Sequence, residues 1–284
     1  MATILDGKAL AASIRAEIRE ETKLLPRAPG LAVILAGNDP ASHLYVRNKT
    51  NDCAECGFFS RQINLPADVS EEQLLGGINK LNQDARFDGI LVQLPLPEHI
   101  DERRIIEAIS PEKDVDAFHP TNVGRMVRGE SMLWPCTPAG IGELIDAYQI
   151  PVDGRICVVV GRSNIVGKPM SLLLLRRHGT VIICHRHTPD LAAMTRQADL
   201  LVSAAGCRGL ITGNMIKPGA AVIDVAMNRD PETGKFTGDV LFDEVEPKAS
   251  FLTPVPGGVG PMTRAMLMKN VLTLAKYHMG LERS

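Results

Sequence analysis

Arg155-Ile-Cys-Val-Val-Val-Gly-Arg-Ser-Asn-Ile-Val-Gly-Lys-Pro-Met-Ser-Leu-Leu-Leu-Leu175 is the stretch that decides the fold. Ile156 to Val160 is β-branched and too short for a lone helix, so it reads as a buried strand. Gly161 opens a turn and Gly167 leads into an apolar helix. Strand, glycine turn and helix in that order outline a dinucleotide site, because bare backbone lets a phosphate approach and the helix N-terminal amides hold it. The spacing is not G-x-G-x-x-G: Ser163 stands at the second glycine, and the next glycine is Gly167. By itself the stretch is also compatible with an ordinary βα turn.

The next strand, Thr180 to Cys184, runs into His185-Arg186-His187. NAD-binding proteins place an acidic residue there to take the ribose 2′-hydroxyl. This chain has a cation instead. Arg186 and Arg162 together are suited to a 2′-phosphate, so NADP is expected rather than NAD.

Outward from this segment, strands and helices alternate through most of the 284 residues, a pattern of parallel sheets covered by helices. A helix begins after Asp6. Strands are expected at Leu31–Leu35, Phe59–Leu65 and Gly89–Gln93, with helices at Pro40–Cys56, Glu71–Gln83 (capping box Ser70-x-x-Gln73) and Asp101–Ile109. Pro111 to Pro138 is rich in Pro, Gly and Asn and reads as an irregular border, after which Thr137 caps a helix reaching Tyr148. The second block has strands at Ile156, Val181, Leu200 and Ala221–Val225, a hairpin or excursion at Asp230–Gly238, and a final helix from Pro261 to His278. The fold class expected is α/β with two α/β domains, the second a Rossmann-like doubly wound parallel sheet. The expected division is 1–118 with the C-terminal helix 262–284, and 138–261, joined by 119–137.

A net charge of −2 with dispersed Lys and Arg offers no basic stripe, which argues against nucleic acid as a partner. No apolar run approaches membrane-spanning length, and Met1-Ala2-Thr3 leads into a helix signal rather than a signal peptide, so a cytoplasmic protein is expected. The six cysteines are scattered, read as free thiols, and include one isolated pair, Cys53-x-x-Cys56. No metal site is expected.

Four further groups carry chemistry. Tyr45 and Lys49 are four apart and share a helix face. Gln93 ends a parallel strand, where α/β proteins place ligands, and its amide can hydrogen-bond Lys49. A carboxylate of Lys113-Asp114-Val115-Asp116 can accept two hydrogen bonds from a cyclic amidine edge. Thr253-Pro-Val-Pro-Gly-Gly-Val-Gly-Pro-Met-Thr263 is a rigid, closely approachable loop.

With Leu91-Val-Gln-Leu-Pro-Leu-Pro97 and Gly161-Arg-Ser-x-Ile-Val-Gly-x-Pro169, these motifs occur in the order of one family. Over nearly its whole length the chain resembles the bifunctional methylenetetrahydrofolate dehydrogenase/methenyltetrahydrofolate cyclohydrolases of the FolD type. The resemblance implies two α/β domains with tetrahydrofolate derivatives in the cleft between them, NADP on the Rossmann side, and a homodimer. It implies Lys49 as the catalytic lysine, Tyr45 stacking near the pterin and benzoyl rings, Gln93 positioning the lysine, and Asp116 on the pterin amidine edge. Pro256, Gly257 and Gly260 would line the folate pocket, and Gly161, Arg162, Ser163, Ile165, Val166 and Arg186 would contact the cofactor.

Three stretches depart from the family pattern. Asp116-Ala117-Phe118 replaces Asp-Gly-Phe, and the added methyl is expected to crowd the pocket. Ala205-Gly206-Cys207-Arg208-Gly209 replaces a Gly-x-Pro pattern, and Val225-Ala226-Met227-Asn228 replaces Val-Gly-Ile-Asn. The competing readings are a dehydrogenase-only member, a non-catalytic NADP- or folate-sensing protein, and a shikimate-type dehydrogenase, whose Ser-x-Ser substrate motif is absent.

Overall fold

The structure is a computed structural model that describes residues 1–231 and 234–282. The chain divides into two compact units, one built from Ala12–Cys136 and Arg264–Ser284, the other from Met1–Ala11 and Thr137–Thr263. Along the chain the strands are β1 (Thr3–Ile4), β2 (Gly30–Ala36), β3 (Phe59–Leu65), β4 (Gly89–Val92), β5 (Ile156–Val160), β6 (Thr180–Cys184), β7 (Leu200–Ser203), β8 (Ala221–Asp224), β9 (Asn228–Arg229), β10 (Phe236–Thr237) and β11 (Phe251–Leu252).

In the first unit, β2 pairs in parallel with β3 on one side and β4 on the other. The run Gly-Leu-Ala-Val-Ile-Leu-Ala is buried throughout, as a central parallel strand covered on both faces must be. Leu74, Ile78 and Leu81 of the helix Glu71–Gln83 pack with Ala32, Ile34, Phe87 and Ile90 of the sheet layer. The expected capping box closes that helix at its N-terminus. At the opposite edge the buried Asp88 carboxylate accepts both Arg27 guanidinium nitrogens at 2.7 and 2.6 Å and the Gly30 amide at 2.8 Å, with His278 Nδ1 at 3.0 Å. Burial pushes this carboxyl up, but these bonds outweigh it and hold it at about 2.

The second unit carries a six-stranded sheet of order β1-β11-β8-β7-β5-β6, parallel throughout. Val158, Val160, Leu201, Val222 and Leu252 form its core. From β5 the chain goes outward to β6, then returns past β5 to β7 and β8 on the other side. The direction of winding therefore reverses between β5 and β7, and the carboxyl ends of those strands flank the crevice where open α/β sheets bind ligands.

Several boundaries differ from the sequence reading. Residues 1–11, expected with the first domain, belong to the second unit, because β1 adds in parallel to β11. The border 119–137 is not a structureless connector. It contains the helix Pro120–Arg128, whose start is capped by His119 Nδ1 accepting the Thr121 amide and whose end is a left-handed Gly129 at φ 76°. Thr137 is not a cap: the helix begins at Cys136, and the Thr137 hydroxyl shares a 3.0 Å hydrogen bond with that of Thr263. The last helix starts at Val259, so Gly260 lies inside it. The expected hairpin is formed by β9 and β10, with residues 232–233 outside those described. No helix among the described residues is long and apolar enough to cross a membrane.

Candidate active site

In the first unit the helix Pro40–Glu55 carries Tyr45 and Lys49 one turn apart. Gln93 directly follows β4, and its amide nitrogen still bonds the Ile34 carbonyl of β2 at 2.9 Å, so the sheet fixes its backbone. Its side-chain nitrogen donates to the Leu94 carbonyl at 2.6 Å, which turns Oε1 toward Lys49. Lys49 Nζ donates to that oxygen at 3.0 Å. An amide acceptor aims the amine without adding a negative charge to the site. Tyr45 is 38% exposed, and burial of the rest of its ring pushes the phenol upward.

Asp116 lies in the same electrostatic neighbourhood. Burial pushes its carboxyl up, Lys49 pulls it back toward ionisation, Asp114 opposes that, and the Cys136 thiol donates to its Oδ1 at 3.6 Å. Asn270 braces this corner, its Nδ2 donating to the carbonyls of Val115 at 2.8 Å and Trp134 at 3.0 Å. Cys136 and Asn270 escaped the sequence reading, since a lone cysteine and a mid-helix asparagine have no periodic signature.

Ala117 adopts φ 56°, in the left-handed region, and is fully buried. The left-handed backbone costs an alanine about 1–2 kcal/mol. A less flexible unfolded chain returns about 0.4–1 kcal/mol, and burying the methyl returns about 0.8 kcal/mol. These nearly cancel, which explains how the position tolerates alanine. A methyl with no accessible surface does not face a pocket, so the expected crowding is corrected. Ala117→Gly should leave the folate KM within about twofold and shift stability by less than about 1 kcal/mol. Steady-state kinetics and thermal melting check this, and a several-fold fall in KM would restore the crowding idea.

In the second unit the glycine turn joins β5 to the helix Gly167–Arg176. A Cβ on Gly161 would lie 2.4 Å from the Ala204 carbonyl oxygen, and one on Gly167 would lie 2.3 Å from that of Gly161. Both glycines are thus required for turn, helix and neighbouring loop to meet. The Ser163 hydroxyl, in the place of the second fingerprint glycine, accepts the Val166 and Gly167 amides at 3.2 and 3.3 Å where the turn enters the helix. Arg162, Ser163 and Ile165 are exposed along the turn, with Val166 partly covered. Arg186 is exposed just beyond β6, its Nε donating to His187 Nε2 at 3.3 Å. Since β6 and β5 are paired to their ends, Val160 opposite Cys184, Arg162 and Arg186 both follow the carboxyl edge of the sheet.

Pro256 and Gly257 lie in this second unit, in a turn closed by the Gly258 amide on the Pro254 carbonyl at 2.9 Å. Gly257 takes φ 113°, which demands glycine, and its carbonyl accepts the Lys8 amide at 3.0 Å. A Cβ on Gly260 would meet nothing within 4 Å. Cys53 and Cys56 are buried, and burial pushes both thiols up to about 12. Among the described residues no group of three His, Cys, Asp or Glu is placed to hold a metal ion.

Residues 5–116 match the catalytic domain of tetrahydrofolate dehydrogenase/cyclohydrolase, and residues 135–279 match its NAD(P)-binding domain. The bifunctional protein FolD of Moorella thermoacetica is 55% identical over 278 residues, spanning 97% of this chain and 99% of that protein. The structure of the FolD methylenetetrahydrofolate dehydrogenase/cyclohydrolase from Campylobacter jejuni superposes with a TM-score of 0.96 at 49% identity, covering 98% of this chain and 99% of the other. The Trypanosoma brucei FolD, solved with NADP cofactor and inhibitor, gives a TM-score of 0.94 at 42% identity over 98% of both chains. Similarity of this depth across both units makes the chain a member of the tetrahydrofolate dehydrogenase/cyclohydrolase family.

Proposed function

We propose that this chain oxidises 5,10-methylenetetrahydrofolate to 5,10-methenyltetrahydrofolate with NADP and hydrolyses the product to 10-formyltetrahydrofolate, with Lys49 as the catalytic group. The observation that carries this reading is the 3.0 Å bond from Lys49 Nζ to Gln93 Oε1 beside the Asp116 carboxylate. It joins a proton carrier, its neutral anchor and an acceptor for a cyclic amidine edge in one unit of the fold.

Oxidation removes a hydride from the carbon bridging N5 and N10 and leaves a delocalised amidinium, so orientation matters more than a base. NADP, when bound, supplies the hydride acceptor. Asp116 holds the pterin by its N3–H and 2-amino group, and Tyr45 stacks near the pterin and benzoyl rings. Hydrolysis needs water to add to the bridging carbon and lose a proton. The Lys49 amine takes that proton through its lone pair while one of its N–H groups stays on Gln93, then gives it to N5 as the carbon–N5 bond breaks, and the remaining hydroxyl proton passes to water as the formyl C=O forms. Pro256, Gly257 and Gly260 are further folate contacts on the family's pattern.

The Gly161 turn fits a dinucleotide, because it joins a parallel strand to a helix N-terminus at the carboxyl edge of the sheet, where backbone amides can take a pyrophosphate. Among the described residues, neither Arg162 nor Arg186 pairs with a carboxylate, and the three residues directly after β6, His185-Arg186-His187, include no acid. Arg186, with Arg162, holds the 2′-phosphate, while Ser163, Ile165 and Val166 contact the rest of the cofactor. Arg186→Ser should therefore weaken NADP by about 1.5–3 kcal/mol, the scale of a hydrogen bond to a charged group, and leave NAD nearly unchanged. Titration with both cofactors checks this, and equal losses would make Arg186 structural. The function itself is tested by NADPH formation from 5,10-methylenetetrahydrofolate; failure of the purified protein to reduce NADP would overturn it.

The same reading includes a cytoplasmic homodimer supplying one-carbon units of the kind purine synthesis consumes. β6 supports the dimer, since among the described residues it ends the sheet with an unpaired edge and carries a 44% exposed Ile183.

A further inference from the structure

The crevice at the winding reversal has two walls. One is the Gly161 turn after β5. The other is the loop after β7, which begins at Ala204, whose carbonyl oxygen would be 2.4 Å from a Cβ on Gly161. That second wall is irregular backbone, and one buried side chain accepts three of its amides. Asp239 has no accessible surface. Its Oδ2 accepts the Ser203 hydroxyl at 2.9 Å and the amides of Ala205 at 2.8 Å and Gly206 at 3.2 Å. Its Oδ1 accepts the Cys207 amide at 2.7 Å and Asn228 Nδ2 at 3.1 Å.

The geometry at this position calls for an acceptor at both oxygens. All five groups around it are donors, and a carboxylate is the one acidic or amide side chain that accepts at both oxygens and donates at neither. Its own backbone is pinned in turn. Asp224 at the end of β8 accepts the Asp239 amide at 3.0 Å and the Val240 amide at 2.8 Å. Gly238 lets the chain pass so close that a Cβ there would be 1.8 Å from Asp224 Oδ2. At its far end the loop is tied by Arg208, whose guanidinium meets the Asp230 carboxylate at 2.7 Å. The loop beside the phosphate turn is therefore shaped in advance from beneath, by a residue more than thirty positions later in the chain.

We propose that Asp239 is a positioning residue for the dehydrogenase step, holding the backbone of Ala205–Cys207 as a preformed wall against which the cofactor docks beside the Gly161 turn. This rests on the reading that NADP occupies that turn. It assigns the loop where the chain departs from the family, Ala205-Gly206-Cys207-Arg208-Gly209, to cofactor geometry set by a carboxylate rather than by the loop's own residues.

The test compares wild type, Asp239→Asn and Ser203→Ala in steady-state kinetics, NADP titration and thermal melting. The asparagine presents an amide donor to loop donors, whereas Ser203→Ala removes one bond to the same carboxylate and leaves the loop amides accepted. For Asp239→Asn, kcat/KM for NADP should fall about tenfold to a hundredfold while the folate KM stays within about twofold. Ser203→Ala should keep kcat/KM for NADP within about threefold even where its melting temperature falls as far. Equal kinetic losses in the two variants at equal destabilisation, or no loss in Asp239→Asn, would overturn the proposal.

Should Asp239→Asn not fold, hydrogen exchange on the wild type decides. The amides of Ala205, Gly206 and Cys207 should exchange slowly before NADP is added. Exchange at unstructured rates until NADP binds would show that nothing preforms the loop. Wild type that binds no NADP would remove the cofactor reading itself, and this inference with it, a result distinct from normal binding that ignores Asp239.

Discussion

Lys49→Met should reduce hydrolysis of 5,10-methenyltetrahydrofolate by about 10²–10⁴-fold, the usual contribution of a positioned acid–base group. Methionine keeps an apolar stem of similar length but exchanges no proton with water or with the folate. It also releases Gln93 Oε1 from its 3.0 Å bond to the lysine, and because Gln93 is only partly buried, water can replace that donor. The fold should therefore survive, and folate and NADP should still bind. Loss of the methenyl chromophore, followed with the methenyl compound supplied directly, isolates this step from hydride transfer. Hydrolysis within about twofold of wild type would mean that the proton moves elsewhere.

Asp116→Ala should remove both folate activities and spare NADP binding. A carboxylate facing the pterin N3–H and 2-amino group accepts two hydrogen bonds in one plane. Removing it leaves two donors desolvated and unpaired, at about 1–3 kcal/mol each, so kcat/KM for either folate should fall roughly thirtyfold to 10⁴-fold. The alanine also takes away one acceptor of the Cys136 thiol, which still reaches the Val115 carbonyl, and Asn270 still bonds Val115 and Trp134, so the corner keeps its backbone ties. Titration with NADP serves as the internal control. A folate KM within about threefold of wild type would show that the pterin is held by other groups.

What the sequence made legible follows from which interactions are local. The glycine turn was readable because strand, turn and helix are contiguous, and Gly161 and Gly167 meet within that short span. Lys49 and Tyr45 share a face by helix period alone, and Gln93 sits where a parallel strand must end. β1 and β11 were unreadable because two-residue strands have no alternation to detect. The helix Pro120–Arg128 was hidden by its own composition, although His119, Pro120 and Gly129 carry its cap, first-turn and stop signals. Asp239 was missed for the opposite reason. Its partners are separated by up to 36 residues, and an aspartate after a hairpin looks like any turn residue until the sheet brings β7 and β8 together.

On this reading one chain performs oxidation and hydrolysis in succession on the same folate. A single time course with wild-type protein, 5,10-methylenetetrahydrofolate and NADP, recorded at the NADPH and methenyl absorbance bands together, tests it most directly. NADPH should rise steadily while the methenyl chromophore stays at a low plateau, because hydrolysis removes it as it forms. Methenyl accumulating one-for-one with NADPH, at the rate seen with Lys49→Met, would contradict the account and leave a dehydrogenase alone.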